Sequence, residues 1–579
     1  MILVKNKLTI PLPFIPAVTL TILACYMFLA GILNCMNYAV IVAGITGIIY
    51  PIYTIARNRQ FPIHRSDVPN LCLYIAAIIY LCYFCYNGVY ADGDTMTHWG
   101  VVVREMTETG RMPNFTTTEI AYQSYPTGTA GLIFFFCRIA GYSEGITLFA
   151  QGLLVFSLLF CMYELIDNNQ NKIIPFFLIT LFVLWSIHFN VRLDDLRVDN
   201  VLPLLSLSAI VILLRYRSEL KKGIIISSPF MGMLVVTKHS GALFLLFIYL
   251  YEAMILFQSK EKNTWKYAAI WSLLVPASMF LLWHWHIGLV FANPGDTRHS
   301  TSIVKMMQIY QSKGHNEISL IIENYFRKWI FLEGNHTIEW QALCMCTFSF
   351  LLRTILVKKN GERAKQHLLP ALLIVFAYIV YKIGLLGMYI FNMPDSDAVI
   401  IRAYDRYVNS IVILLVSMTL VEWILILQMH ESNKYYYSTI GFVGIVVMGF
   451  LLLFAPLSIH NLARPDYLRD GCYRNLKRIR DSNNIPNRNA RVLVYTDIPY
   501  SRFYVLYCFR SMDAWSISEE DFRRSCELTP EYYDYLIILY HDDKIDEDLQ
   551  KCKYPTNSEL VQLTPEQNRL LLNDGADHE

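Results

Sequence analysis

The sequence predicts an all-α, polytopic membrane domain of about 13 transmembrane helices, followed by a small C-terminal α/β domain. The chain of 579 residues is 55% hydrophobic and only 17% charged, with a mean hydropathy of +0.36. This composition is more apolar than that of a water-soluble globular protein. Apolar runs of about 20 residues recur as far as residue 458, and each is long enough to cross the hydrocarbon layer as a helix. The composition beyond residue 460 is ordinarily polar.

The apolar runs define the candidate spans, and the polar C-terminal part defines a second domain. The spans lie at residues 10–36, 37–56, 71–90, 145–166, 172–191, 199–215, 224–238, 240–258, 267–290, 336–357, 367–393, 408–428 and 437–458. The C-terminal part alternates a polar helical stretch, "YRNLKRIRDSNN", with the strand-like runs "RVLVYTD" and "YDYLIILY". We therefore predict a membrane domain at 1–459 and an α/β domain at 460–579.

Basic loops set the predicted orientation of the chain. Lys and Arg collect in four short loops, "ARNRQFPIHR", "RYRSELKK", "QSKEKNTWK" and "VKKNGERAK", which all lie on one side if the N-terminus is cytoplasmic. The acid-rich loops and the C-terminal domain then face the opposite side. The sequence thus predicts a multi-pass protein of the cell membrane, with a cytoplasmic N-terminus, an extracytoplasmic C-terminal domain and membrane lipid around its spans.

The first outer loop is predicted to carry two helices. The segment "YPTGTAGLIFFFCRIAG", 125–141, would invert the later loops if it crossed the membrane, so we expect it to lie along the outer interface or to enter and return. The earlier helix begins near Asp94 and is amphipathic, with Met96, Trp99, Val103 and Met106 on one face and Asp94, His98 and Glu105 on another. It is predicted to lie on the membrane with Trp99 at the headgroup level.

Several motifs resemble one enzyme superfamily. "DTMTHWG", "YPTGTAGLIFFF", "GYSEGITLFAQGLL", "VDNVLPLLSLS" and "AYDRYVNS" occur in an order and spacing similar to the GT-C superfamily of polytopic glycosyltransferases. That superfamily includes the protein O-mannosyltransferases and the lipid A aminoarabinose transferases. Three of these motifs, "DTMTHWG", "VDNVLPLLSLS" and "AYDRYVNS", are more closely similar to uncharacterised bacterial envelope proteins whose first motif reads Asp-Glu-Phe-Ser-His-Trp-Gly. This chain departs from that motif at Thr95, where the related proteins have Glu.

The resemblance implies a GT-C-like fold and an inverting sugar transfer on the outer face of the membrane. The donor would be a polyprenyl-phosphate-linked sugar, and the acceptor an envelope glycan, a lipid or a protein. The catalytic acid of the superfamily corresponds to Asp94. Independently of the resemblance, such a transfer needs a base to take the proton of the acceptor hydroxyl, and a carboxylate can supply it. His98, one helical turn later, is the second catalytic candidate, as a residue that orients Asp94 or binds the acceptor.

The departing phosphate requires fixed cations near the membrane boundary. Arg406 in "YDRY" is the first candidate, because its guanidinium can hold a phosphate through two hydrogen bonds, and Tyr407 lies beside it. Lys238 in "TKHSG" is a further substrate-binding candidate, because a charge between two apolar helices is costly without a partner or a wet cavity. Arg192 and Asp199, which flank "LDDLRV", complete the predicted substrate-binding set.

Several of these residues also have a purely structural explanation. Asp92 or Asp94 can cap the helix that follows, and Arg406 with Tyr407 can be ordinary boundary residues of a span. The acids and arginines of "RLDDLRVD" can simply pair with one another.

Other functional classes have weaker signals. The net charge of +2 and the absence of long basic runs argue against a nucleic-acid partner. No cofactor is predicted; a divalent metal is compatible with the outer-loop acids and histidines, but no ligand spacing indicates a metal site. A multispan transporter or flippase remains an alternative. So does an envelope polysaccharide polymerase or ligase, in which case Arg298 and His299 of the long outer loop are the residues of interest.

Overall fold

The computed structural model contains a helix at each of the thirteen predicted spans. It describes residues 10–58, 67–90, 92–117, 125–166, 172–189, 193–258, 263–291, 302–330, 337–360, 368–429, 434–453, 472–488, 490–496, 501–510, 515–517, 533–539 and 558–562, and residues 120, 122, 123, 541, 546 and 550. The helices at the predicted spans are α1 (Ile15–Ile32), α2 (Met36–Asn58), α3 (Val68–Cys85), α6 (Glu144–Phe160), α7 (Ile173–Phe189), α8 (Val201–Arg215), α9 (Leu220–Thr237), α10 (Gly241–Gln258), α11 (Thr264–Val290), α14 (Thr337–Asn360), α15 (Leu368–Phe391), α17 (Tyr404–Met429) and α18 (Lys434–Leu453).

Length and hydropathy divide these helices into groups. Among the described residues, eight helical segments are long and apolar enough to cross a membrane, and four further predicted spans are shorter apolar helices. The eight segments are Leu12–Ile32, Val68–Cys85, Glu144–Leu165, Leu220–Thr237, Gly241–Gln258, Thr264–Val290, Leu372–Phe391 and Tyr404–Gln428. Helix α14 is in neither group. The chain is therefore a polytopic membrane protein, with thirteen helices at the predicted places but not thirteen equally apolar ones.

The centre of the bundle is formed by α8 and α17. Helix α8 packs on α6, α9, α10 and α17, and α17 is almost wholly buried. In contrast, few side chains of α3 and α11 are buried, as expected of helices that face lipid. The tight connection between α9 and α10 requires a glycine, because a Cβ at Gly241 would lie 2.1 Å from the carbonyl oxygen of Leu234. This connection carries Lys238.

The loop between α3 and α6 contains the two predicted helices. A π-helical turn, Thr95–Trp99, continues into α4 (Gly100–Thr109), and α5 is Gly128–Ala140. Helix α5 has 13 residues, too few to cross the hydrocarbon layer, and it packs on α1 and α6. Helix α4 does not lie exposed on the membrane, so that prediction is wrong. Trp99 is only 7% exposed and packs against neighbouring rings, because α5 and the C-terminal domain enclose α4.

Three α-helices among the described residues of the membrane domain were not predicted. The long loop after α11 contains α12 (Ile303–Ser312) and α13 (His315–Ile330), and α16 (Asp395–Val399) precedes α17. The buried ammonium of Lys313 joins these helices to the bundle, since it donates to the carbonyl oxygens of Tyr389, Ile390 and Met393 at 2.7–2.9 Å. A cation at the C-terminal end of α15 satisfies carbonyl groups that have no partner within the helix.

The C-terminal part is the predicted α/β unit. It contains α19 (Cys472–Ser482), β1 (Val492–Tyr495), α20 (Ser501–Phe509), β2 (Trp515–Ile517), β3 (Tyr535–Ile538) and β4 (Leu560–Gln562). The strand order is β2-β1-β3-β4, with β1 parallel to both neighbours and β4 antiparallel to β3. The boundary predicted at 459/460 lies outside the described residues.

Candidate active site

Four charged side chains from distant parts of the chain meet at one end of the helix bundle. Asp94 precedes the π-helical turn, Asp199 precedes α8, Lys238 follows α9, and Arg406 lies in the first turn of α17. The sequence predicted a functional role for each of these residues separately. The structure brings all four together.

Arg406 is the centre of this cluster. Its Nη1 donates a hydrogen bond to Oδ2 of Asp94, its Nε lies 3.6 Å from Oδ2 of Asp199, and its Nη2 donates to the hydroxyl of Tyr407 at 3.3 Å. The side chains of Arg406 and Asp94 are 26% and 32% exposed, so water and small ligands can reach this pair. Arg406 is thus not an ordinary residue that extends towards the membrane surface, because it joins two carboxylates.

Asp199 and Lys238 form the buried half of the cluster. Nζ of Lys238 donates to Oδ1 of Asp199 at 2.6 Å, and both side chains are less than 10% exposed. Burial alone would raise the pKa of Asp199, but Lys238 and Arg406 outweigh burial and lower that pKa to about 2. Asp199 therefore stays ionised between the two cations.

The helix-capping role belongs to Asp92 rather than to Asp94. Oδ1 of Asp92 accepts a hydrogen bond from the backbone N–H of Thr95 at 3.2 Å, whereas Asp94 makes no side-chain cap. Oδ2 of Asp92 also lies 3.3 Å from Nη1 of Arg197, which pairs with Asp195 at 2.6 Å. The expected pairing within "RLDDLRVD" therefore occurs for Arg197, while Asp199 belongs to the site.

His98 lies in a cluster of aromatic rings. Its ring centroid is 4.7 Å from that of Trp99, 5.2 Å from that of Tyr122 and 5.5 Å from that of Tyr125. Among the described residues, its buried Nδ1 has no hydrogen-bond partner. Burial lowers the pKa of His98 to about 3, although Asp94 acts in the opposite direction. His98 is therefore neutral near pH 7, and its catalytic role stays a prediction.

A cavity of about 260 Å³ opens beside the charged cluster, between α8, α10, α15 and α17. One part of its wall is polar and is formed by Asp199, Lys238 and Tyr407. The other part is apolar and is formed by Leu202, Leu243, Leu385 and Met388. The cavity is thus amphipathic.

Sequence reasoning missed two tyrosines of this site. Tyr125 lines the cavity, and its ring lies 5.9 Å from Nζ of Lys238. Tyr381 also lines the cavity and donates to the carbonyl oxygen of Tyr407 at 2.7 Å. Tyr125 stands in "YPTG" and was therefore accessible to motif reading, whereas Tyr381 lies in an apolar span with no local signal.

Three residues singled out in the sequence cannot be placed, since Arg192, Arg298 and His299 lie outside the described residues. Within the part of the chain that the structure describes, no group of three His, Cys, Asp or Glu side chains is arranged to hold a metal ion.

The fold and the site together define a polytopic membrane protein with a charged, amphipathic cavity at one end of its helix bundle. No protein-family model matches the sequence, and no curated protein matches it significantly. Among solved structures, the chain is similar to the crystal structure of ArnT from Cupriavidus metallidurans in the apo state. The TM-score is 0.38 and the identity 10%, over 84% of this chain and 95% of that one. Similarity at this level is too low to support a conclusion about function. The proposed function is based on the side chains of the site instead.

Proposed function

We propose that this protein is an integral membrane glycosyltransferase of the GT-C type. It moves a sugar from a polyprenyl-phosphate donor to a glycan, lipid or protein acceptor on the outer face of the membrane, with inversion at the sugar. The observation that carries the proposal is the amphipathic cavity, whose polar wall contains Lys238 and Asp199, together with Arg406, which joins Asp199 to the carboxylate of Asp94.

The polar part of the cavity, with Arg406 beside it, suits a lipid phosphate. Arg406 offers a planar fork of N–H groups, and Lys238 adds a point charge from the opposite side of Asp199. When the bond between sugar and phosphate breaks, negative charge grows on the phosphate, and two fixed cations stabilise that charge. The apolar wall formed by Leu202, Leu243 and Leu385 accepts the first isoprenoid units of the donor.

Asp94 is the proposed general base. It takes the proton of the acceptor hydroxyl, the acceptor oxygen attacks the anomeric carbon, and the polyprenyl phosphate leaves with the electrons of the broken bond. Asp94 is the more exposed of the two carboxylates that face Arg406. An acceptor that arrives from water therefore reaches Asp94 rather than Asp199.

Purified protein supplied with a polyprenyl-phosphate sugar and extracts of envelope acceptors tests this proposal by detection of the glycosylated product. Asp94→Asn is expected to lower transfer by a factor on the order of a hundred or more, as for the loss of a general base. Asp92→Asn is the matched control, because Asp92 caps the helix and is expected to affect transfer much less. Arg406→Lys is expected to be damaging, since an ammonium cannot replace the two-pronged contact. Near-normal turnover in Asp94→Asn would refute the catalytic role.

The same preparation distinguishes the alternatives. A transporter or flippase would move the lipid-linked sugar across vesicle membranes without forming a new glycosidic bond. A polymerase or ligase would transfer a whole oligosaccharide, and mass spectrometry of the product separates that outcome from the addition of one sugar.

A further inference from the structure

The C-terminal domain packs directly on the segment that carries Asp94. Helix α20 lies against the π-helical turn, and the ring of Phe503 faces Gly93, the residue before Asp94. A Cβ at Gly93 would lie 3.0 Å from the nearest carbon of that ring. The backbone of Gly93 is not in the left-handed region, so a larger residue here is disfavoured by the tight contact with Phe503 and not by backbone conformation.

An ionic contact fixes the following helix to the same domain. Arg510, whose side chain is 1% exposed, binds Glu105 through Nη2 at 2.6 Å and Glu108 through Nη1 at 2.5 Å. Arg488 binds the same two carboxylates at 2.9 and 3.0 Å. Both arginines belong to the C-terminal domain, and both glutamates belong to α4. Of these four charged groups, Arg510 and Glu105 are buried, and leaving either of them unpaired is costly.

A third contact runs in the opposite direction, from α4 to the C-terminal domain. Nη1 of Arg104 donates to the carbonyl oxygen of Tyr507 at 2.8 Å, and its guanidinium lies 4.2 Å from the centroid of the Tyr507 ring. Arg104, Glu105 and Glu108 are the three charged residues of α4, and all of them are bound to the C-terminal domain.

We propose that the C-terminal domain is part of the active site and positions the base. Arg510 and Phe503 are positioning residues: Arg510 fixes α4, and Phe503 fixes the backbone immediately before Asp94. The inference rests on the proposed function, in which Asp94 acts as the base. It assigns the C-terminal domain a role that does not require contact with either substrate.

The two halves of the site then have separate supports. Lys238 and Arg406 bind the donor phosphate from within the membrane domain, whereas Asp94 depends on contacts with the C-terminal domain. Displacement of a reacting group by about 1 Å can cost on the order of a hundredfold in rate. Loosening of α4 is therefore expected to lower kcat and to leave the KM for the donor nearly unchanged.

The first test compares Arg510→Ala with Arg478→Ala in the full-length protein. Arg478 is the matched control, because it forms an exposed ion pair with Glu559 inside the C-terminal domain at 2.9 Å and does not bind α4. Arg510→Ala is expected to lower kcat on the order of tenfold to a hundredfold, with the KM for the donor within about twofold. Arg510→Lys is expected to recover part of this loss. Hydrogen exchange of residues 92–109 is expected to speed up in Arg510→Ala but not in Arg478→Ala.

The second test uses the contact between Gly93 and Phe503 and does not remove a buried charge. Gly93→Ala is expected to lower kcat, because the new methyl group pushes against the Phe503 ring. Gly93→Ala combined with Phe503→Ala removes the clash and is expected to be more active than Gly93→Ala alone. If Gly93 and Phe503 act through this contact, the effects of the two substitutions on kcat are not additive.

The outcomes separate this inference from the proposed function. If the wild-type protein shows no sugar transfer, the proposed function is refuted. Hydrogen exchange of residues 92–109 in the two variants then still decides whether the C-terminal domain holds the segment that carries Asp94. Equal exchange in Arg510→Ala and Arg478→Ala overturns the positioning role. So does an unchanged kcat in Arg510→Ala, or a double variant no more active than Gly93→Ala.

Discussion

A buried ion pair between α14 and α15 gives a test of the fold that is independent of catalysis. Nζ of Lys382 donates to Oε1 of Glu339 at 2.8 Å and to the hydroxyl of Tyr404 at 2.5 Å. The side chains of Lys382 and Glu339 are 0% and 3% exposed. The ring centroids of Tyr404 and Trp329 lie 4.4 and 5.1 Å from the ammonium, which replaces part of its lost hydration.

Lys382→Met removes the cation and keeps a side chain of similar length. The carboxylate of Glu339 then retains only the hydrogen bond from the hydroxyl of Tyr378, and its Oε2 has no hydrogen-bond partner among the described residues. Breaking a buried pair in this way typically costs about 3–5 kcal/mol of stability, because one charge is left uncompensated. Lys382→Met combined with Glu339→Gln removes both charges and is expected to recover most of that loss.

An exposed pair on α13 is the matched control. Arg327 and Glu323 lie 2.7 Å apart, nearly the same distance as the buried pair, but are 51% and 55% exposed. Arg327→Met is expected to cost only about 0.3–0.5 kcal/mol. Reversible unfolding in mixed detergent micelles measures the three variants. The reasoning fails if Lys382→Met costs no more than Arg327→Met, or if the double variant is no more stable than Lys382→Met.

Two further predictions concern pH and topology. The pKa of His98 is about 3 in the folded protein and 6.5 in the unfolded chain. As pH drops from 7 to 5, the unfolded chain therefore takes up a proton that the folded protein does not, and the free energy of unfolding falls. His98 contributes about 2 kcal/mol to this fall. His98→Phe is therefore expected to lose that much less stability than the wild-type protein between pH 7 and pH 5. The same dependence of unfolding on pH in both proteins would contradict the prediction. A cysteine at the exposed position Thr116 is expected to react with a membrane-impermeant reagent from outside, and one at the exposed position Arg217 is not. Outside labelling at Arg217 would reverse the orientation.

The spans were predictable because each depends on a local property, about 20 consecutive apolar residues. Helices α12 and α13 were missed, because amphipathic helices outside the membrane lack that property and need tertiary contacts such as the one made by Lys313. The burial of Trp99 was missed for a related reason. An apolar helix face indicates that something covers it, and the sequence does not say whether this is lipid or another domain.

The sequence predicted which charged residues belong to the site but not which of them contact one another. Asp94 and Arg406 are 312 residues apart in the chain, and no local pattern states that they pair. Pairing within its own segment was the structural alternative for Asp199, but Lys238 and Arg406 bind it instead. Pairing partners at this sequence separation are set by how α8, α9 and α17 pack.

The charges of the site suggest how donor and base are coupled. Two carboxylates and two cations cancel one another, and a phosphate that enters adds negative charge, so one carboxylate must give up its cation. Asp199 is 9% exposed and also binds Lys238, whereas Asp94 is 32% exposed and can exchange Arg406 for water at little cost. If the protein has the proposed function, the donor phosphate therefore displaces Asp94 from Arg406. The carboxylate oxygen that had paired with Arg406 is then free to accept a hydrogen bond from the acceptor hydroxyl, so Asp94 can act as the base once the donor is in place.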